Sequence, residues 1–78
     1  MKTFKVLGSG CKNCANTADL IALKAKAAGV EVEIIKITDM GEIMGYGVMS
    51  TPGVVIDEAL VHAGGMPSPA QVEDWVKA

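Results

Sequence analysis

The stretch Gly8-Ser9-Gly10-Cys11-Lys12-Asn13-Cys14 holds both cysteines of the chain, separated by two residues. Ahead of it, Phe4-Lys5-Val6-Leu7 has the character of a strand; behind it, an alanine-rich, helix-favouring segment opens near Ala15. A Cys-x-x-Cys pair at a strand-to-helix junction has two chemistries open to it. It cycles between dithiol and disulfide, or it holds a soft metal ion between two thiolates. A disulfide closing so short a loop removes little entropy from the unfolded chain, so a purely stabilising staple is a poor account of the spacing.

The rest of the chain reads as short alternating elements. Residues 3–7 form the first strand, and a helix follows over residues 12–28. Ala18, Ile21, Ala22 and Ala25 recur at i, i+3, i+4 and i+7 along it and mark its buried stripe. Lys24 and Lys26 suit its C-terminal end, and Gly29 suits the terminator. Residues 30–37 alternate and then run Ile34-Ile35, the pattern of a strand buried on both faces at its middle. Strand, helix and strand of these lengths make a βαβ unit with a parallel pair and a right-handed crossover.

Asp39 with Glu42 three residues on resembles a capping box and opens a short helix over residues 40–45, weakened by glycine. Ser50-Thr51-Pro52-Gly53-Val54-Val55-Ile56 is a strand headed by proline, which cannot donate to a ladder and so belongs at a strand start or edge. Asp57-Glu58 is its turn, residues 60–63 return antiparallel, and Gly64-Gly65 ends the hairpin. Ser68 as N-cap, Pro69 at N1 and Gln71 at N3 then open a terminal helix with Val72, Trp75 and Val76 on one face. The expected fold is α/β, β-α-β-α-β-β-α, with a four-stranded mixed sheet flanked by helices, and residues 1–78 form one domain.

Composition narrows the functions. Seventy-eight residues is close to the lower limit for a single unstapled core, and with half of them hydrophobic the chain is not a disordered one. Net charge is −2, and the positive charges are scattered lysines with no basic patch for phosphates, so nucleic acid is not an expected partner. The N-terminal apolar run is broken by Gly8-Ser9-Gly10 before it reaches signal-peptide length, and no stretch approaches the roughly 20 apolar residues of a membrane span. The expected setting is cytoplasmic, the expected state monomeric.

For redox cycling, Cys11 is the expected nucleophile. It sits at the helix start, where unpaired N–H groups and the dipole favour a thiolate. Cys14, one turn inside, is the expected resolver of the mixed disulfide. Gly8 and Gly10 let the loop bend and leave room for a partner's backbone, and Lys12 and Asn13 lie between the cysteines.

These residues resemble the thioredoxin/glutaredoxin superfamily, and within it the very small single-domain thioredoxin-like redox proteins. The resemblance spans essentially the whole chain. It rests on Cys11-x-x-Cys14 after the first strand, on Tyr46-Gly47-Val48-Met49-Ser50-Thr51-Pro52, and on the hairpin, glycine and helix that follow. It implies that Pro52 is cis and faces the disulfide, and that Thr51 pairs backbone to backbone with a bound substrate. It also implies a thiol–disulfide oxidoreductase with no cofactor beyond its cysteine pair, acting on disulfide-containing proteins and regenerated by a reductase or a small thiol. No aromatic precedes Cys11, no proline lies between the cysteines, and Lys5 stands where thioredoxins carry a buried acid, which leaves the proton acceptor for Cys14 unassigned.

Two other readings use the same cysteines. Gly8-x-x-Cys11-x-x-Cys14 also resembles the heavy-metal-associated domain, which binds Cu or Zn, although that family has methionine where Ser9 stands and ends strand, helix, strand. A redox-sensing domain without turnover is the third. Met40 and Met44, at i and i+4, are expected to fill the core rather than bind metal. His62, the single histidine, is expected on the surface. Tyr46 is expected to pack over the second helix and the mouth of the site, and Trp75 to anchor the terminal helix.

Overall fold

The structure is a computed structural model that describes residues 2–8, 12–48 and 50–77. Along the chain run β1 (Lys2–Leu7), α1 (Lys12–Ala28), β2 (Val32–Ile37), α2 (Met40–Gly45), β3 (Gly53–Ile56), β4 (Ala59–Ala63) and α3 (Pro69–Lys77). The four strands form one sheet in the order β2-β1-β3-β4. β1 pairs parallel with β2 and antiparallel with β3, and β3 pairs antiparallel with β4. The mixed sheet and the element order are those expected.

Side chains of β1 alternate between two cores. Phe4 and Val6 join Cys14, Ala18, Ile21 and Val72 under α1 and α3. Leu7 points to the other face, where Ile43, Val48 and Val55 pack beneath α2. The central strands are thus buried on both faces, while the flanking elements are amphipathic.

Local signals explain where the helices begin and end. Gly29, at φ 69°, closes α1 with paired bonds: its N–H donates to Lys26 O and that of Val30 to Ala25 O. In α3 the Ser68 Oγ accepts from the Gln71 N–H at 3.2 Å, and the Gln71 side chain accepts from the Ser68 N–H at 3.0 Å. This is a reciprocal capping box. Asp39 caps α2 by accepting from the Gly41 N–H.

Three expectations need correction. β2 is an edge strand, so Ile35 is 36 % exposed rather than buried on both faces with Ile34. Ala22 lies outside the buried stripe of α1, which instead takes in Cys14 and Thr17. Thr17 is tolerated there because its hydroxyl donates to Asn13 O at 2.6 Å. Met40 and Met44 are not core filler: they are 55 % and 70 % exposed, because α2 has a single turn and a half of helix and spends its buried face on Ile43.

At the far end of the sheet, Asp57 and Glu58 form the two-residue turn between β3 and β4 with φ of 46° and 73°. Such turns suit the strand twist but are usually built from Asn or Gly. Here the turn is tied to β1. Asp57 N–H donates to Thr3 O, its carboxylate accepts from the Thr3 N–H, and Glu58 accepts from Lys5 Nζ at 2.7 Å.

Candidate functional site

The site gathers where β1 ends, α1 begins and β3 starts. Cys14 lies in the first turn of α1 and is 7 % exposed. Among the described residues no cysteine is a free thiol. Gly8 follows β1 and continues its pairing by donating from its N–H to Ile37 O at 2.9 Å. A Cβ placed on Gly8 would overlap Cys14 Sγ and would lie 3.2 Å from Cys14 Cβ and 3.6 Å from Thr51 Cβ. Gly8 is therefore the floor on which the Cys14 sulfur rests, with Thr51 close by. Its lack of a side chain serves space rather than backbone freedom.

Thr51 is exposed, and the Thr51–Pro52 peptide bond is cis. Pro52 is buried, and its carbonyl accepts from the Gly64 N–H at 3.0 Å. Lys12 and Asn13 are exposed on the first turn of α1. Cys14, Thr51 and Pro52 are thus brought to one place, with Lys12 and Asn13 on the turn leading into Cys14. Gly10 and Cys11 lie outside the described residues.

Beside Thr51 opens an apolar groove of about 440 Å³, lined by Met40, Ile43, Met44, Gly47, Val48 and Thr51. Its two exposed methionines, expected in the core, instead present flexible, polarisable side chains to solvent beside the site. A signal was present in the sequence: three glycines in residues 41–47 leave α2 too short to bury more than one face.

Lys5 lies across the sheet from Cys14, on the Leu7 face. Its ammonium donates to Tyr46 Oη at 2.9 Å and Glu58 at 2.7 Å and stands 5.5 Å from the centre of the Tyr46 ring. The Glu58 hydrogen bond first, and the Tyr46 hydroxyl second, push its pKa up, against the opposing effect of desolvation. A lysine held charged in this way is no proton acceptor for Cys14. Tyr46 therefore packs at the end of α2 and clasps Lys5, on the same side as the groove. His62 and Trp75 touch each other, with ring centroids 5.9 Å apart.

The sequence profile of the thioredoxin domain matches residues 2–77. The chain belongs to the thioredoxin domain family. A thioredoxin of Methanocaldococcus jannaschii is 32 % identical over 78 residues, covering all of this chain and 90 % of that one. A thioredoxin of Methanothermobacter thermautotrophicus is 27 % identical over 73 residues, covering 94 % and 95 %. At the level of the family, this chain is a thioredoxin-like redox protein of the thiol–disulfide oxidoreductase kind. Among the described residues, no helix is long and apolar enough to cross a membrane.

Proposed function

We propose that this thioredoxin-like protein reduces or exchanges disulfides in partner proteins by cycling Cys11 and Cys14 between dithiol and disulfide. The observation that carries the reading is the seat of Cys14. Its sulfur lies against Gly8, 7 % exposed, beside the Thr51 that precedes cis-Pro52. A cysteine so covered is poorly placed to meet a partner and well placed to act within the chain.

In the proposed cycle the Cys11 thiolate attacks a partner disulfide, forming a mixed disulfide and releasing one partner thiolate, which takes a proton from solvent. The Cys14 thiolate then attacks Cys11 Sγ, the mixed disulfide breaks, and the second partner thiolate leaves. Two electrons pass to the partner, and the resulting Cys11–Cys14 disulfide is returned to the dithiol by a reductase or a small thiol. The partner's extended segment pairs with the Thr51 backbone, beside Gly10, Lys12, Asn13 and Pro52, and an apolar partner side chain enters the groove between Met40 and Met44. No cofactor beyond the cysteine pair is required. We place the protein in the cytoplasm as a monomer, with residues 1–78 as its working domain.

Titration of the metal-stripped protein in defined thiol/disulfide buffers, read by intact mass after thiol trapping, tests the reading. The expected result is a two-electron transition to an intramolecular disulfide, with Cys11→Ser inactive and Cys14→Ser trapped as a mixed disulfide. Equal residual activity in the two variants would contradict the assigned roles. Failure to form the disulfide, with one Zn or Cu rebinding per chain, would turn the reading to metal handling. Oxidation without substrate turnover would turn it to sensing.

A further inference from the structure

β3 and β4 do not pair evenly. Val55 lies opposite Leu60, but Val54 lies opposite His62, so Val61 is an extra residue in β4. This bulge changes which face His62 occupies. An even ladder would set Val61 opposite Val54 and turn His62 toward the α2 face; with the extra residue, His62 shares a face with Val54, which packs in the α1–α3 core. Its ring consequently meets Trp75 of α3, at 5.9 Å between centroids and 56° between planes.

So aimed, the ring reaches the loop that follows its own strand. His62 Nε2 lies 2.8 Å from Gly65 O. A carbonyl can only accept, so the proton is on Nε2, and the bond persists when the ring is protonated. Gly64 and Gly65 are both left-handed, with φ of 83° and 69°. Gly64 in turn donates its N–H to Pro52 O, and a Cβ placed on it would lie 3.2 Å from Ser50 Cβ. His62 is thereby linked through two glycines to the segment Ser50-Thr51-Pro52.

We propose that His62 is a positioning residue: by holding Gly65 it fixes Gly64 against Ser50 and Pro52, and so sets the Thr51 backbone for pairing with a partner segment. The role of Thr51 rests on the function proposed above, whereas the latch itself does not. His62 acts on docking of the partner rather than on the cysteines, so the dithiol/disulfide midpoint is independent of it.

The test compares two substitutions in the full chain. His62→Phe keeps a ring against Trp75 and removes the donor, whereas His62→Gln keeps an N–H near the position of Nε2. In His62→Phe, exchange of the Gly64 amide hydrogen is expected to quicken roughly three- to tenfold, the loss of one hydrogen bond. KM for a protein disulfide rises by a similar factor, with the midpoint potential at its wild-type value. His62→Gln restores both. If His62→Phe does not fold, His62→Ala is read in its place by the same measurements.

A Gly64 amide indifferent to loss of the donor, or a His62→Gln variant as impaired as His62→Phe, overturns the latch. A shifted midpoint with unchanged KM overturns it also, by assigning His62 to the cysteines. Because the Gly64 amide reports without turnover, an inactive wild-type chain would overturn the proposed function and not the latch.

Discussion

Gly8 leaves no room for a β-carbon because Cys14 Sγ occupies the place where one would stand. The relationship joins the residue that follows β1 to Cys14, which is buried. It makes glycine a requirement of the sulfur's position, and Thr51 Cβ stands 3.6 Å from the same place. Gly8→Ala forces either the Cys14 side chain or the end of β1 to shift. The cost expected of overpacking is about 1–3 kcal/mol. Denaturant unfolding of the oxidised protein should show it, along with reduced turnover of a protein disulfide. Wild-type stability and turnover in Gly8→Ala would mean that the sulfur rests elsewhere.

The groove beside Thr51 yields a second expectation. Met44 is 70 % exposed and lines the groove without holding the core, so replacing it should spare the fold. Met44→Glu is expected to raise KM for a protein disulfide on the order of tenfold, the scale of one apolar side chain losing its burial in a complex. Reduction of a small soluble disulfide, which does not need the groove, should be unchanged. Equal loss with both substrates would place the effect at the cysteines instead.

What the sequence shows of this fold is what is decided within one element. The Ser68–Gln71 box and the Gly29 terminator involve residues three to five apart, and both appear in the structure as read. The site was legible to the extent that its residue types are unusual: a close cysteine pair and a Thr-Pro at a strand head. Properties that depend on what lies across space were not. Ile34-Ile35 has the composition of a central strand, but nothing in those residues says that β2 has a neighbour on one side only. The exposure of Met40 and Met44 depends on how little of α2 the sheet covers. The extra residue at Val61, which redirects His62, exists only as a mismatch between two strands. Gly8 reads in the sequence as a bend that leaves room for a partner's backbone, and only the structure shows Cys14 taking up the space beside it.

The turn at Asp57-Glu58 carries a conformational cost that can be isolated from its ion pair. Glu58 holds φ at 73°, a region costly for any residue with a β-carbon. Glu58→Ala and Glu58→Gly both lose the bond to Lys5, so the difference between them reports the backbone alone. Glu58→Gly is expected to be the more stable of the two by about 1 kcal/mol. Urea unfolding of the pair measures it, and an Ala variant equal to the Gly variant would show that the turn relaxes to an ordinary conformation.

α1 and α3 are linked on their outer surface through Glu73, whose carboxylate lies 2.6 Å from Lys77 Nζ and 3.9 Å from Lys24 Nζ. The Lys77 hydrogen bond first, then the charges of Lys77 and Lys24, hold the Glu73 pKa below its ordinary value. A carboxyl group with a depressed folded-state pKa stabilises the fold above its unfolded value, about 4.3, and loses that contribution as pH falls through the folded value. The stability difference between wild type and Glu73→Gln should therefore be constant from neutral pH down to about 5 and then shrink as acid protonates the carboxylate. With the Glu73 side chain 44 % exposed, the difference is expected to be small and to shrink further in high salt. Denaturation of both proteins across that range, at low and high ionic strength, checks the sign. A difference that grows on acidification would mean that Glu73 is held as the neutral acid and that Lys24 and Lys77 do not bind it.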